Sequence, residues 1–154
     1  MGCAVGHSTV PWIETFPEAE VYGIDCGAGM VKYAHARANY LEKPIHFSQQ
    51  NAEKTKFDSN SFDIVCSHIM LHETSTSAFK NILKECYRIL KPGGLMLHLD
   101  VPNTDGMDPF TSFMTDWEAY NNNETFLVAL RDMDWVKETV NAGFGHNKVQ
   151  LSGS

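Results

Sequence analysis

The sequence has no block of basic residues. Lysine and arginine number 12 against 19 aspartates and glutamates, and the net charge is −7. Nucleic-acid backbones are held by a basic footprint, so this balance argues against them as the main partner. No apolar run approaches the roughly 20 residues of a membrane span, and no basic-then-apolar leader opens the chain. The expected setting is the cytoplasm, with neither nucleic acid nor membrane as partner. Cysteine is sparse and scattered. Cys3, Cys26, Cys66 and Cys86 include no C-x-x-C pair, which argues against a zinc site or a disulfide framework and suits reduced thiols. Internal repeats and low-complexity stretches are absent. Asn123-Glu124-Thr125 matches a glycosylation acceptor, but without a secretory route the match carries no meaning.

What is present is an alternation of strand-like and helix-like patterns over 154 residues, a length suited to one domain. Ser8 reads as a helix cap, with Pro11 in the first turn and Pro17 as the stop. Glu20 to Asp25 reads as a short buried strand. Met30, Ala34, Ala38 and Leu41 recur at helical spacing, and Ile45-His46-Phe47 begins another strand. Phe62 to Ser67 is β-rich. Phe79, Ile82, Leu83, Cys86 and Leu90 mark an amphipathic helix closed by Lys91-Pro92-Gly93-Gly94, and Leu95 to Val101 reads as a strand. A helix over about Asp132 to Ala142 and a final strand near Lys148 complete the reading. Such alternation predicts a doubly wound, mostly parallel α/β sheet with helices on both faces. Residues 102–130, rich in Phe, Met and Trp, interrupt it.

In such sheets ligands bind beyond the carboxyl ends of the strands. Four stations there carry chemistry. Gly2-Cys3-Ala4-Val5-Gly6-His7-Ser8 leads into a helix, so its small residues allow close backbone approach and the helix start offers free N–H groups. It is not a G-x-G-x-x-G fingerprint, because Ala4 and His7 hold the second and third glycine positions. Asp25 follows the next strand and can accept from both hydroxyls of a ribose; its simpler role is a helix cap. Asn51-Ala52-Glu53 follows the third station's strand, and Ser67-His68 the fourth's.

In order and spacing these stations resemble the class I S-adenosylmethionine-dependent methyltransferases, in particular the small-molecule branch. The glycine-rich loop, Asp25, Asn51-Ala52-Glu53, Ser61-Phe62-Asp63-Ile64-Val65 and, most specifically, Arg88-Ile89-Leu90-Lys91-Pro92-Gly93-Gly94 carry the resemblance, which covers residues 2–101 well. It implies a Rossmann-like fold, S-adenosyl-L-methionine as cofactor and transfer of its methyl group to a small-molecule acceptor. The implied cofactor residues are Gly2, Cys3, Ala4, Gly6, Asp25, Cys26, Met30, Asn51, Ala52, Glu53, Ser67 and His68. His72 and His68, near where the sulfonium would lie, are the implied catalytic pair, with Glu73 as a rival of His72; no metal cluster is expected. Three departures stand out. Ala4 and Asn51 occupy positions where the family has Gly and Asp. The family's first strand, which would end in an acid before Gly2, has no counterpart, so the chain reads as an incomplete domain over 1–154. As such it is expected to bind cofactor weakly and to expose unpaired strand edges.

Several residues have plain structural readings beside the functional ones. His72 is as readily a polar packing residue, His7 could face the cofactor's methionine end, and His35, His46, His98 and His146 read as structural or surface groups. Phe110, Phe113, Met114, Trp117 and Tyr120 would form either core or an apolar lid over the acceptor, flanked by Pro102-Asn103. Asp105, Asp108 and Asp116 read as a solvated polar face. Two rival functions remain: a non-catalytic module that keeps the fold, and an NAD-dependent oxidoreductase, which would leave Asn51-Ala52-Glu53 and the Lys91-Pro92-Gly93-Gly94 turn unexplained.

Overall fold

The computed structural model describes residues 1–101 and 108–151. The described elements run α1 (Val10–Thr15), β1 (Val21–Asp25), α2 (Ala28–Tyr40), β2 (Ile45–Gln49), β3 (Phe62–His68), a 3-10 turn (Leu71–Glu73), α3 (Thr76–Ile89), β4 (Leu90–Leu99), α4 (Pro109–Asn121), α5 (Leu127–Arg131), α6 (Trp135–Asn141) and a second 3-10 turn (His146–Lys148). None of these helices is long and apolar enough to cross a membrane.

The strands form two parallel pairs, β1 with β2 and β3 with β4. Among the described residues no strand lies between β1 and β3. Residues 1–3 bridge them instead: the Met1 amine donates to the Cys66 carbonyl of β3, and the Cys3 amide to the Ile24 carbonyl of β1. Lower down, Tyr22 meets Phe57 and Phe62 edge-on, which carries an aromatic contact across the same gap. The expected α/β arrangement of parallel strands and helices is present, as two linked pairs with no strand described between them. Both pairs present their carboxyl ends to the loops that matter.

The two pairs are held differently. Around β1 and β2 a small core of Val10, Ile13, Ala38 and Ile45 joins α1 and α2 to the strands. Phe47 of β2 stands where side chains on Gly6 and Gly23 would collide with it, a Cβ on either falling 2.8 and 2.5 Å from its ring. Around β3 and β4 the core is larger. Val65, Leu71, Phe79, Ile82, Leu83, Cys86, Ile89, Leu90 and Leu130 form one buried cluster. Residues 79, 82, 83, 86 and 89 recur at three- and four-residue steps, so one stripe of α3 enters it. Ser75 caps that helix by accepting from the Ala78 amide.

Arg88 clamps the segment before β3. Its guanidinium donates to both oxygens of buried Glu85 and to the Phe57 carbonyl, while the Thr55 amide and hydroxyl donate to Glu85. Burial alone would raise the Glu85 carboxyl, but these donors outweigh it and hold the group down at about 2.

Several boundaries differ from the sequence reading. Thr9 rather than Ser8 sits at the start of α1, without a side-chain bond, while Pro11 does fall in the first turn. Residues 91–94 do not separate α3 from the strand. Phe62 pairs with Leu90 and Ile64 with Leu95, so the Pro-Gly-Gly segment bulges within β4, with Gly93 at φ +86°. The expected strand near Lys148 is a 3-10 turn, and among the described residues no strand lies beside it to share its backbone bonds.

Candidate functional site

The glycine-rich loop folds through left-handed backbone at Gly2, Ala4 and Gly6, with φ of +63°, +43° and +75°. Gly6 needs this freedom twice over, for its φ and for the ring of Phe47 against it. Ala4 adopts the conformation despite its Cβ, at a cost of about 1–2 kcal/mol. The compensation is visible: the Ala4 amide donates to Asp25 Oδ2 at 2.9 Å, and the Gly27 amide at the start of α2 donates to Oδ1 at 2.8 Å. Asp25 therefore does serve the helix start, and it also pins the loop. It is only partly buried, and each oxygen has accepted one bond, leaving capacity for two further hydroxyl donors. That pair of acceptors fits the vicinal hydroxyls of a nucleoside.

The ends of β1 and β2 meet beside it. The Gln49 side chain donates to the Cys26 carbonyl, and the Gln50 amide to the Asp25 carbonyl. Cys26 and Met30 are exposed there, Met30 beside Gly27. Asn51 Oδ1 accepts from the Glu53 amide, and Glu53 in turn accepts from Asn81 of α3. Ala52 leans on the large core. Cys3 reaches the site only through its backbone. Its buried side chain has a thiol pushed up to about 11 by burial and by nearby Asp25. His7 is exposed.

On the β3–β4 side the loop begins against Met70, whose side chain fills the space a Cβ on Gly2 would need. Met70 belongs to a turn entered through Ile69, a β-branched residue held at φ +49° at the end of β3. Such strain persists only where neighbours impose it; here the Ile69 amide donates to Leu99, and Asp100 holds the next two residues. The Asp100 carboxylate, 1% exposed, accepts from the amides of Met70, Leu71 and Val101 and lies 2.7 Å from His72 Nδ1. With an acceptor-only partner, Nδ1 carries a proton, which fixes the ring and leaves Nε2 as the nitrogen not engaged by Asp100. Nε2 lies 3.5 Å from Glu73 Oε1, and a carboxylate oxygen of Glu124 lies within 4.8 Å of ligand atoms of both residues.

Ser67 and His68 do not join this group. The Ser67 hydroxyl is bonded to His98 Nδ1 at 2.7 Å, and the residue is buried. His68 is exposed on the opposite face of the strand pair, in line with Ile64 and paired in register with Leu99. His98 is structural, as its sequence position suggested. Burial pushes its imidazole down to about 4, with the nearby chain amine adding to the effect, and its Nε2 has no partner among the described residues.

The aromatic segment corrects the simpler sequence reading. On α4 only Ala119 is buried, while Phe110, Phe113, Trp117 and Tyr120 are exposed at 71%, 57%, 54% and 85%, which rules out a core role. Met114 is intermediate. Asp108 caps α4, and Asp116 pairs with buried Arg131 of α5, so neither is an idle surface acid. Pro102, Asn103 and Asp105 lie outside the described residues. A cavity of about 370 Å³ on α6, lined by Asp134, Val136, Lys137 and His146, includes none of the strand-end groups.

Sequence reasoning missed Asp100 and Glu124. Asp100 was within reach of the rule that found Asp25, being an acid just past a strand. Glu124 carried no signal, since only packing brings the α4–α5 connection beside His72.

Comparison with known proteins supports this geometry. The methyltransferase domain family model matches residues 1–94. The chain is 27% identical over 145 residues to a demethylmenaquinone methyltransferase of Lactococcus lactis, covering 89% of this chain and 55% of that one. It also resembles a solved protein of Bacillus halodurans C-125 described as a methyltransferase, at 25% identity and TM-score 0.75 over 93% of this chain and 60% of that one. The fold is shared with a phosphoethanolamine N-methyltransferase of Haemonchus contortus solved with S-adenosyl-L-methionine, at 21% identity and TM-score 0.74 over 93% of this chain and 31% of that one. The chain spans about a third to just over half of the length of curated relatives it matches. A left-handed loop pinned by an acid at the next strand end, in a chain matched over residues 1–94, places this protein in the class I S-adenosylmethionine-dependent methyltransferase family.

Proposed function

We propose that the protein transfers a methyl group from S-adenosyl-L-methionine to a small-molecule acceptor. The observation that carries this reading is the junction at Met70. There the start of the Asp25-pinned loop touches the turn that presents His72, so cofactor and acceptor sides adjoin. When bound, the cofactor supplies a methyl carbon activated by a sulfonium, which leaves the protein to position and desolvate. Asp25 takes the ribose hydroxyls. Loop amides around Gly2 to Gly6 hold the methionine portion, and Cys26, Met30, Ala52 and Asn51 border the adenine. His72 acts on the acceptor through Nε2, with Asp100 fixing its tautomer. The exposed aromatics of α4 close over the acceptor as a lid.

Calorimetric titration with S-adenosylhomocysteine and, separately, NAD tests the cofactor assignment. Binding of the first and not the second is expected, and the reverse would make the protein an oxidoreductase. On the acceptor side, Trp117→Ala should raise KM for the acceptor and leave S-adenosylhomocysteine affinity unchanged. A fall in cofactor affinity alone would remove the lid.

A further inference from the structure

The mechanism leaves one arrangement unexplained. One ligand atom from each of His72, Glu73 and Glu124 lies within 4.8 Å of the others. These residues come from two separate parts of the chain. His72 and Glu73 end the turn after β3, and Glu124 sits between α4 and α5 where Asn123, at φ +56°, redirects the chain. Leu71 and Leu130 in the common core, together with the Trp135 indole bond to the Leu130 carbonyl, fix α5 against that turn.

The His72 side chain is 8% exposed. Its Nδ1 is committed to Asp100, its Nε2 lies 3.5 Å from Glu73 Oε1, and a Glu124 carboxylate oxygen belongs to the same group of ligand atoms. The 3.5 Å separation from Glu73 is longer than a normal N–H···O bond. Three possible ligand groups converge, and no Lys or Arg ion pair to Glu73 or Glu124 is found among the described residues. Two carboxylates brought together this way repel unless positive charge stands among them. A carboxylate behind a histidine, with the far nitrogen free, is also the arrangement that orients and strengthens a metal-binding imidazole.

We propose that His72 Nε2, Glu73 and Glu124 form a divalent-cation site, with Asp100 holding the imidazole from behind. One nitrogen and two carboxylates suit a first-row ion such as Mn²⁺, Co²⁺ or Zn²⁺ better than Mg²⁺. Ligands around such an ion stand about 3–4 Å apart, so rotation of the exposed Glu73 carboxylate completes the contraction. Three protein ligands leave a position open. Resting on the methyltransferase reading, that position takes an oxygen of the acceptor, so His72 acts through the ion rather than by receiving the proton itself. The acceptor class is then a small molecule with a coordinating hydroxyl or carboxylate.

The test is titration of the full chain with Co²⁺, followed by visible absorption, and with Zn²⁺ and Mn²⁺ by calorimetry. One ion per chain is expected. Glu124→Gln and Glu73→Gln should each weaken it at least tenfold. Asp100→Asn should weaken it by roughly 10–100-fold, as for other residues behind a metal ligand. Glu118→Gln, an exposed acid on α4, should change nothing. Should Glu124→Gln fail to fold, the exposed Glu73→Gln carries the comparison. The site is overturned if millimolar cation does not bind, or if binding is the same in both Gln variants. It is equally overturned if nitrogen NMR shows His72 protonated on both nitrogens and unaltered by cation. S-adenosylhomocysteine binding on the same samples separates the outcomes. Cofactor bound without cation removes only this site, whereas cation bound without cofactor removes the methyltransferase reading and leaves the site.

Discussion

The two strand pairs solve the same problem, a ligand group at a strand end, by different means. Beside β1 and β2 the site is made of backbone: a left-handed loop whose amide is tied to Asp25, over a core of four buried residues. Beside β3 and β4 it is made of side chains: a carboxylate and an imidazole sunk against a core of nine. The larger core explains the choice. A buried carboxylate is tolerated only where surrounding structure supplies enough donors, and the turn at Met70 and Leu71 supplies them. The smaller core can hold a partly buried acid that retains capacity for a ligand. Stability should therefore depend on Asp100, and affinity on Asp25.

The largest effect should come from Asp100→Ala. It strands three amides and His72 Nδ1 in a buried site, and removing one member of such a network costs about 3–5 kcal/mol. Urea unfolding should show the midpoint falling accordingly; a loss below about 1 kcal/mol would mean the turn stands without it.

Acid should strike the same half. The unfolded His98 takes up a proton near 6.5, while the folded one resists until about 4. The unfolded state thus binds more protons in that window. Stability is full above 6.5, falls by up to about 3 kcal/mol as pH drops to 4, and loses no more from this group below it. Glu85 then governs a second window. Its carboxyl is held at about 2 against 4.5 when unfolded, so its contribution is present above 4.5 and lost as pH falls through 2. Urea midpoints measured across pH should fall in both windows, and His98→Gln should flatten only the upper one.

The third effect concerns affinity. Asp25→Ala should weaken S-adenosylhomocysteine binding by about 1.5–3 kcal/mol, the worth of hydrogen bonds to a charged group, and cost less stability than Asp100→Ala. Calorimetry on the folded variant decides this, and unchanged affinity would leave Asp25 as a loop and helix anchor alone. The smallest effect is a gain. Ala4→Gly removes left-handed strain at φ +43° and should raise stability by about 1 kcal/mol or less, because glycine's greater unfolded entropy offsets part of the relief. A loss on thermal melting would mean the Ala4 methyl packs usefully.

Much of this was legible in the chain, for a reason common to the legible parts. The periodicity of Phe79, Ile82, Leu83 and Cys86, the β-rich run from Phe62 and the prolines at 11 and 17 are local signals, and each element they predicted is present. Asp25 was legible because it follows a strand at a readable distance from a glycine-rich loop, and its tie to Ala4 joins those same two stations. What depended on a distant partner was not legible. Lys148 has no strand beside it among the described residues and lies in a 3-10 turn. The aromatic spacing of α4 suited core as well as lid, and only the packing showed Trp117 and Tyr120 on the outside. Ser67 looked like a strand-end ligand until His98, 31 residues on, took its hydroxyl. The sequence by itself thus determined the element order, the loop and its acid, because hydrophobic spacing and backbone conformation are decided by near neighbours. Only the tertiary structure decided that Asp100 stands behind His72 and Glu124 in front of it, because contacts between residues 28 and 52 positions apart are set by how the core closes and leave no period in the chain.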